Sequence, residues 1–377
     1  MTVAGLIFSN IHDQRIPEMT RKRTMASIPY GCRYRLIDFT LSNMVNSDIT
    51  NIGIITHYNY QSLLDHIGNG KDWDLARRSS GIKLLPPYVA AYENMAAGKI
   101  YENRLEALLG VQNFINRCGT DYVLLSDCDG ILNIDLKKVV EDHVSSGAYM
   151  TIVTKKLEPG QYHFEQPVIV MKTDDNNRII DLADYIPENG DEIISANITV
   201  IARTDLQEII AESLARGYKS FHRDIVAKSL KSKLIRSYPF DGFYSVVSSL
   251  EGYYQSSMAL LNKEVRENLF RKEDSQVYTK VRNSAPTRYV TGSSVKNSLI
   301  ADGCVIEGTV ENSILFRGVR VGRGTVVKNC ILLQDTFVGA NASLNCVISD
   351  KNAVIKNDRN LSGHESMPLF IEKDKIV

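Results

Sequence analysis

GCRYRLIDFTLSNMVNSDITNIGIITHYNYQSLLDHI, residues 31–67, holds a helical pattern followed at once by a strand. The helical texture covers Thr40–Ser47, and Asn51-Ile52-Gly53-Ile54-Ile55-Thr56 is a short apolar strand. The same alternation continues on both sides. Ala4–Phe8, Asp121–Ser126 and Tyr149–Thr154 read as strands, Arg104–Arg117 and Leu136–Ser146 as helices. Strands that alternate with helices build a mostly parallel sheet covered on both faces. Ligands of such sheets gather at the carboxyl ends of the strands.

After residue 240 the texture changes. Tyr253–Leu269 reads as a helix with Tyr254, Met258, Leu261 and Val265 on one face, leading to a linker near Asn283–Pro286. Beyond it an aliphatic residue returns every six positions: Val321, Val327, Leu333 and, after a one-residue slip, Val338, Leu344 and then Asp350. Ile300 and Ile306 keep the same spacing upstream. A hexapeptide period over several coils is the pattern of a parallel β-helix, whose stacked coils bury a shared aliphatic ladder. The polar tail from Arg359 is expected to cap the solenoid or to pair with a partner. The expected domains are residues 1–285 and 286–377.

Composition narrows the function. At 377 residues the chain can bury a large core. Lys+Arg 44 balance Asp+Glu 44, which removes the electrostatic reason to expect nucleic acid or a membrane surface as partner. No apolar run approaches the roughly 20 residues that span a bilayer, and MTVAGLIFSN lacks the basic flank of a signal peptide. Cys32, Cys118, Cys128, Cys304, Cys330 and Cys346 contain no C-x-x-C pair and read as reduced thiols of a cytoplasmic protein.

Y-R-L-I-D-F at 34–39, L-S-N at 41–43, Y-P-F-x-G at 238–242 and N-S-L-I-A-D-G-C at 297–304 together resemble ADP-glucose pyrophosphorylase, over nearly the whole chain. The resemblance implies a Rossmann-like nucleotidyltransferase domain followed by a left-handed parallel β-helix. It also exposes departures. The family opens with a nucleotide loop of the type A-G-G-x-G-T-R-L and a lysine in K-P-A. Here the aligned residues are Ser9-Asn10-Ile11-His12-Asp13-Gln14-Arg15-Ile16, and Met25-Ala26-Ser27. Glycines let backbone amides approach a triphosphate; Ile11 is bulky and Asp13 is negative. Arg15 falls on the family's catalytic arginine, Met25 on its lysine. The glutamine pair that reads adenine is missing, since no glutamine lies between Gln61 and Gln112.

Nucleotidyl transfer also needs two carboxylates for Mg²⁺. Asp129 matches the first, with Asp127 two residues before it; a bare D-C-D is a weak metal signal, because strand-end carboxylates are often only turn residues. Val246 stands where the family motif G-Y-W-R-D-V-G-T has the second, and an aliphatic side chain cannot bind a hard cation. No metal or other cofactor is therefore expected on this chain, and Mg²⁺ would belong to a catalytic partner. Of the sugar site, Tyr101, Asp184 and Ser195 match, either as a vestigial pocket or as packing residues, while Tyr185 replaces the lysine that holds the sugar phosphate. Lys22, Arg23 and Arg35 match positions that serve an anionic-effector site; Arg21 and Arg33 lie beside them, and the alternative is a solvated basic strip.

Losing one preorganised charge typically costs about 10²–10³ in rate. With a metal carboxylate and a lysine gone, turnover from an ordinary 1–10³ s⁻¹ falls to about 10⁻² s⁻¹ or below. The pattern resembles the D-type subunit of the bacterial enzyme, a non-catalytic or weakly catalytic partner of the catalytic subunit. The expected role is regulatory, in a hetero-oligomer (a tetramer by resemblance), answering a phosphorylated anionic effector in glycogen biosynthesis. A slow but genuine sugar-nucleotide pyrophosphorylase stays open. So, remotely, does a hexapeptide acyltransferase, although that class needs a histidine at the solenoid and only His364 is present there.

Overall fold

A computed structural model describes residues 1–86, 101, 103–158, 164–187 and 190–377. The absence of the adenine-reading glutamines falls largely on residues 87–100, outside the described residues.

Val3–Phe8 is the hub of a nine-stranded sheet. It pairs in parallel with Asn51–Ile55 on one side and with Tyr122–Asp127 on the other; Gly81–Leu85 extends the first side, also in parallel. Ile193–Ala202 then runs antiparallel to Tyr122–Asp127 and carries the wing of Val168–Thr173 and Ile179–Tyr185. Met150–Lys156 and Ile235–Pro239 form a further parallel pair. The chain leaves Val3–Phe8 toward one side and returns on the other. The crevice therefore opens beyond Phe8 and Asp127, where the strand order reverses. Gly5 at the hub leaves room for Met44 of the covering helix, whose Sδ would lie 2.5 Å from a Cβ there and would have to shift.

That helix, Leu36–Asn46, starts earlier than its apolar spacing suggested. Asp38 sets the start: its carboxylate accepts the Arg35 backbone amide at 3.0 Å and its other oxygen meets His66 Nε2 at 2.6 Å. The pattern read as one helix over Arg104–Arg117 breaks at Val111 into Arg104–Gly110 and Gln112–Arg117. The one read over Tyr253–Leu269 is likewise two helices, Leu250–Ala259 and Lys263–Phe270. The Asn262 side chain stops continuity by capping the second, accepting the Glu264 amide at 2.8 Å. No strand or helix covers residues 276–287, where the linker was placed.

From Arg288 the chain winds into three five-stranded parallel sheets, the left-handed β-helix expected from the hexapeptides. In one sheet Ile306, Val321, Val338 and Ile355 stack as a fully buried ladder. One corner needs a positive φ and is filled by Asn297, Asn312 and Asn329, a residue type that tolerates it. The tail is not a separate cap. Asn360–Ser362 and Leu369–Ile371 pair with the preceding coil and complete the last one.

The two domains share one apolar core. Phe316, Leu333 and Ile348 of the solenoid pack in the same cluster as Tyr30, Phe39 and Tyr253. The helix Leu250–Ala259 is the wedge: Tyr253 Oη donates to the Pro29 carbonyl and Tyr254 Oη to the Asn329 carbonyl, both at 2.8 Å. Among the described residues no helix is long and apolar enough to cross a membrane.

Candidate active site and interdomain cation cluster

The crevice holds a cleft of about 550 Å³ whose lining includes Ile11, His12, Arg15, Arg104, Asp184, Ser195 and Val246. The loop after Phe8 forms its floor. Instead of presenting free amides, this loop folds into a short 3₁₀ turn at Asp13–Arg15, with the Asp13 and Arg15 amides spent on the Asn10 and His12 carbonyls. Asp13 turns inward, and its carboxylate accepts the Met25 amide at 2.7 Å. Burial pushes that carboxyl up to about 7, against the pull of the Met25 hydrogen bond. Met25 itself is buried in the core, so the lysine's place is apolar packing.

Tyr101 donates its hydroxyl to Asn10 Oδ1 at 3.0 Å and is thereby tied to the loop. Ser195 is buried on the strand Ile193–Ala202 and accepts the Asn197 amide at 3.1 Å. Asp184 and Tyr185 lie exposed on the wing, Asp184 within the cleft lining. Arg15 lines the cleft and acts electrostatically on Asp129.

By the resemblance, position 246 is where the family has its second metal carboxylate. Val246 pairs with Gly130 across a two-stranded ribbon, and the Val247 amide donates to the Asp129 carbonyl at 2.9 Å. Valine at this position offers no oxygen. The residues present therefore do not fit a Mg²⁺ held by that pair.

Charge in the crevice is neutralised from within. Arg104 Nη2 donates to Asp127 Oδ2, and His12 Nε2 lies 2.8 Å from the same oxygen and 3.6 Å from Asp129 Oδ2. Arg104 Nη1 donates to His222 Nε2 at 3.2 Å, which requires a neutral ring; burial, and then Arg104, hold His222 down at about 3. Burial opposes charge on Asp127, yet Arg104 and His12 bring its carboxyl down to about 2. Asp129 is shifted the other way, first by burial and further by the charge on Asp127, with His12 opposing. Sequence alone places His12 in the loop and Asn103-Arg104 where the family has Gly-Thr, without a role for either His12 or Arg104. Only the D-C-D run hinted at this cluster, because His12 and Arg104 reach it from distant segments.

The basic strip is divided by the fold. Lys22 is exposed, 3.9 Å from Asp374 of the last coil. Arg23 is fully enclosed, its Nη2 on Asp350. Arg35 is buried and donates through Nη1 to the Ser62 hydroxyl at 2.9 Å. It lines a narrow cavity of about 30 Å³ at the domain junction with Arg33, Lys280, Arg282, Arg317 and Lys351. The last four come from the linker and the solenoid, so the first-domain motif alone could not disclose them.

Comparison with known proteins agrees with this architecture. A nucleotidyl transferase family matches residues 12–185, and a GlmU-like C-terminal hexapeptide family matches residues 285–365. The glycogen biosynthesis protein GlgD of Bacillus subtilis (strain 168) is 33% identical over 374 residues, covering 99% of this chain and 96% of that one. The glucose-1-phosphate adenylyltransferase of Fervidobacterium nodosum is 30% identical over 357 residues, covering 94% and 84%. That of Thermosipho melanesiensis is 32% identical over 329 residues, covering 86% and 78%.

Proposed function

We propose a regulatory role for this chain, which belongs to the ADP-glucose pyrophosphorylase family and is GlgD-like within it. It acts as a non-catalytic or weakly catalytic subunit that assembles with a catalytic glucose-1-phosphate adenylyltransferase in the cytoplasm. The catalytic subunit converts ATP and glucose 1-phosphate to ADP-glucose and pyrophosphate for glycogen, using its own Mg²⁺. The observation that carries this reading is Val246 lying beside Gly130 and Asp129, where the reaction needs a second carboxylate. Around it the side chains bind one another: Asp13 takes the Met25 amide, and His12 and Arg104 meet the Asp127 carboxylate.

A cationic cavity at the domain junction supports the effector half of the proposal. Arg35, Lys280, Arg282, Arg317 and Lys351 converge there from both domains. A phosphorylated anion bound among them could alter how the solenoid sits against the first domain and, through a hetero-oligomer, the partner's output. The anion would have to spread these side chains, since the cavity now has room for little more than a water.

The slow-enzyme alternative has its own support, a cleft of about 550 Å³ that still contains Arg15, Ser195 and Asp184. Pyrophosphate release separates the two. The isolated chain should turn over at about 10⁻² s⁻¹ or below, and its addition to the catalytic subunit should change effector response and co-elute as one complex. Ordinary turnover by the chain alone would overturn the regulatory reading.

A further inference from the structure

The crevice contains an arrangement that the lost Mg²⁺ pair does not explain. His12 Nε2, one oxygen of Asp127 and one of Asp129 all lie within 4.8 Å of one another. Among the described residues this is the only such grouping of three or more metal-ligating side chains. Both carboxylates are buried, 5% and 1% exposed. Asp127 Oδ1 and Asp129 Oδ2 have no hydrogen-bond partner. Asp129 Oδ2 nevertheless faces His12 Nε2 at 3.6 Å. A buried carboxylate oxygen without a donor is costly, and an unsatisfied one calls for a ligand.

We propose that His12, Asp127 and Asp129 form a binding site for one divalent transition-metal cation of the zinc or cobalt class, distinct in its ligands from a two-carboxylate Mg²⁺ site. Ligands about 2.0–2.2 Å from a tetrahedral cation stand roughly 3–3.5 Å apart. His12 Nε2 lies 2.8 Å from Asp127 Oδ2 and 3.6 Å from Asp129 Oδ2, separations that bracket that spacing; Asp127 Oδ2 also receives Arg104, so a cation on it has to share or displace that contact. An imidazole beside two carboxylates favours borderline cations over Mg²⁺, which prefers an all-oxygen octahedron. Arg104 remains as a fixed positive charge on Asp127, so the local charge suits a single divalent ion rather than two. His12 comes from the nucleotide loop and the carboxylates from the end of the strand Tyr122–Asp127. A bound cation would therefore clasp that loop onto the sheet and seal the space a triphosphate would need. This inference does not depend on the regulatory reading, because it concerns the chain's own ligands and is read without activity.

The test uses the full chain, stripped with chelator, and titrated with Co²⁺ and with Zn²⁺. Wild-type protein should take up about one equivalent, with a visible cobalt spectrum of nitrogen and oxygen ligation, and should melt at higher temperature when loaded. Because partners of ligands already matter by 10–100-fold, His12→Ala and Asp129→Asn should each weaken binding by at least about a hundredfold. Far-UV circular dichroism verifies that the variants fold; should Asp129→Asn fail to, His12→Gln carries the comparison. Millimolar Mg²⁺ should not displace the bound ion. The proposal is overturned if wild-type protein takes up no metal at micromolar concentration. It also fails if folded His12 variants bind as well as wild type, if Mg²⁺ competes on equal terms, or if the cobalt spectrum shows thiolate ligation.

Discussion

Arg23 Nη2 lies 2.7 Å and 2.8 Å from the two carboxylate oxygens of Asp350, and both side chains are almost wholly enclosed. The pair joins the first domain to the solenoid. In the hexapeptide register Asp350 follows Val338 and Leu344, so a carboxylate stands where the aliphatic ladder would continue. The departure is explained across the interface: the ladder ends in a charge because a buried guanidinium meets it there. Arg23 thus holds an internal anion through Nη2, while its buried Nη1 has no partner among the described residues.

Breaking this pair from either side should be severe. Arg23→Ala or Asp350→Ala strands a buried charge, a loss of about 3–5 kcal/mol. Arg23→Met with Asp350→Leu removes both charges and restores an apolar ladder position, so it should cost much less than the two single changes added together. Urea unfolding of the four proteins measures this directly. Single-variant losses under about 1 kcal/mol would mean that the pair is solvated in solution.

Under the proposed regulatory role, effector recognition should reside in the cavity rather than the strip. Each cation there could make a charge-assisted bond of roughly 1.5–3 kcal/mol to a phosphate. Lys280→Ala with Arg282→Ala should therefore shift the half-activating concentration of a phosphorylated sugar by at least about tenfold in the mixed enzyme. Lys22→Ala, whose side chain is exposed above the last coil, should leave the activation curve in place. If instead only Lys22→Ala moves the curve, the effector sits on the outer surface.

How much of this was legible depended on the range of each signal. The hexapeptide ladder and the strands Val3–Phe8 and Tyr122–Asp127 repeat a local pattern, so they could be read before folding. Val246 was legible because its motif neighbours hold the alignment. The break at Asn262 was missed because a helical spacing of apolar residues continues across it while the side chain caps a new helix. His12 with Asp127 and Arg23 with Asp350 join segments far apart in the chain; no local spacing encodes such pairs, and only the fold brings them together.

Asp13 gives a pH test of the rebuilt nucleotide loop. Its carboxyl stands at about 7, against an ordinary 3.8, chiefly through burial. The folded state therefore holds a proton that the unfolded state has lost between those values, and stability falls as pH rises through that window. Asp13→Asn keeps an acceptor for the Met25 amide and removes the penalty. The variant should match wild type near pH 4 and exceed it at pH 8 by on the order of 1–3 kcal/mol, discounted for partial exposure. Melting curves at the two pH values decide; equal differences at both would place the Asp13 carboxyl in its ordinary range.

Lys351 offers the corresponding test of the cavity, with the opposite charge. Its ammonium is held down at about 7 from an ordinary 10.5, first by burial and then by Arg35, Arg23 and Arg282, with Asp350 opposing. Of the other groups around the cavity, Arg33, Lys280 and Arg317 add positive charge. Tyr34 is raised by burial, and His66 is lowered by burial below its usual 6.5. Neither Tyr34 nor His66 therefore changes charge between about pH 7 and 9. Above pH 7 the empty cavity has thus mostly lost the Lys351 proton. A bound dianion would restore it, so binding consumes a proton and weakens as pH rises, by up to about tenfold per unit at its steepest. Sulfate is the suitable probe, because it keeps its charge over this range whereas a phosphate does not. Isothermal titration of the whole chain at pH 6.5, 7.5 and 8.5, in buffers of different ionisation heat, should show affinity falling and proton uptake rising. Lys351→Met should bind weakly and without the slope, and Lys351→Arg should bind at pH 8.5 as wild type does at pH 6.5. Affinity independent of pH in wild type, or the same slope in Lys351→Met, would falsify the assignment of this lysine to the anion.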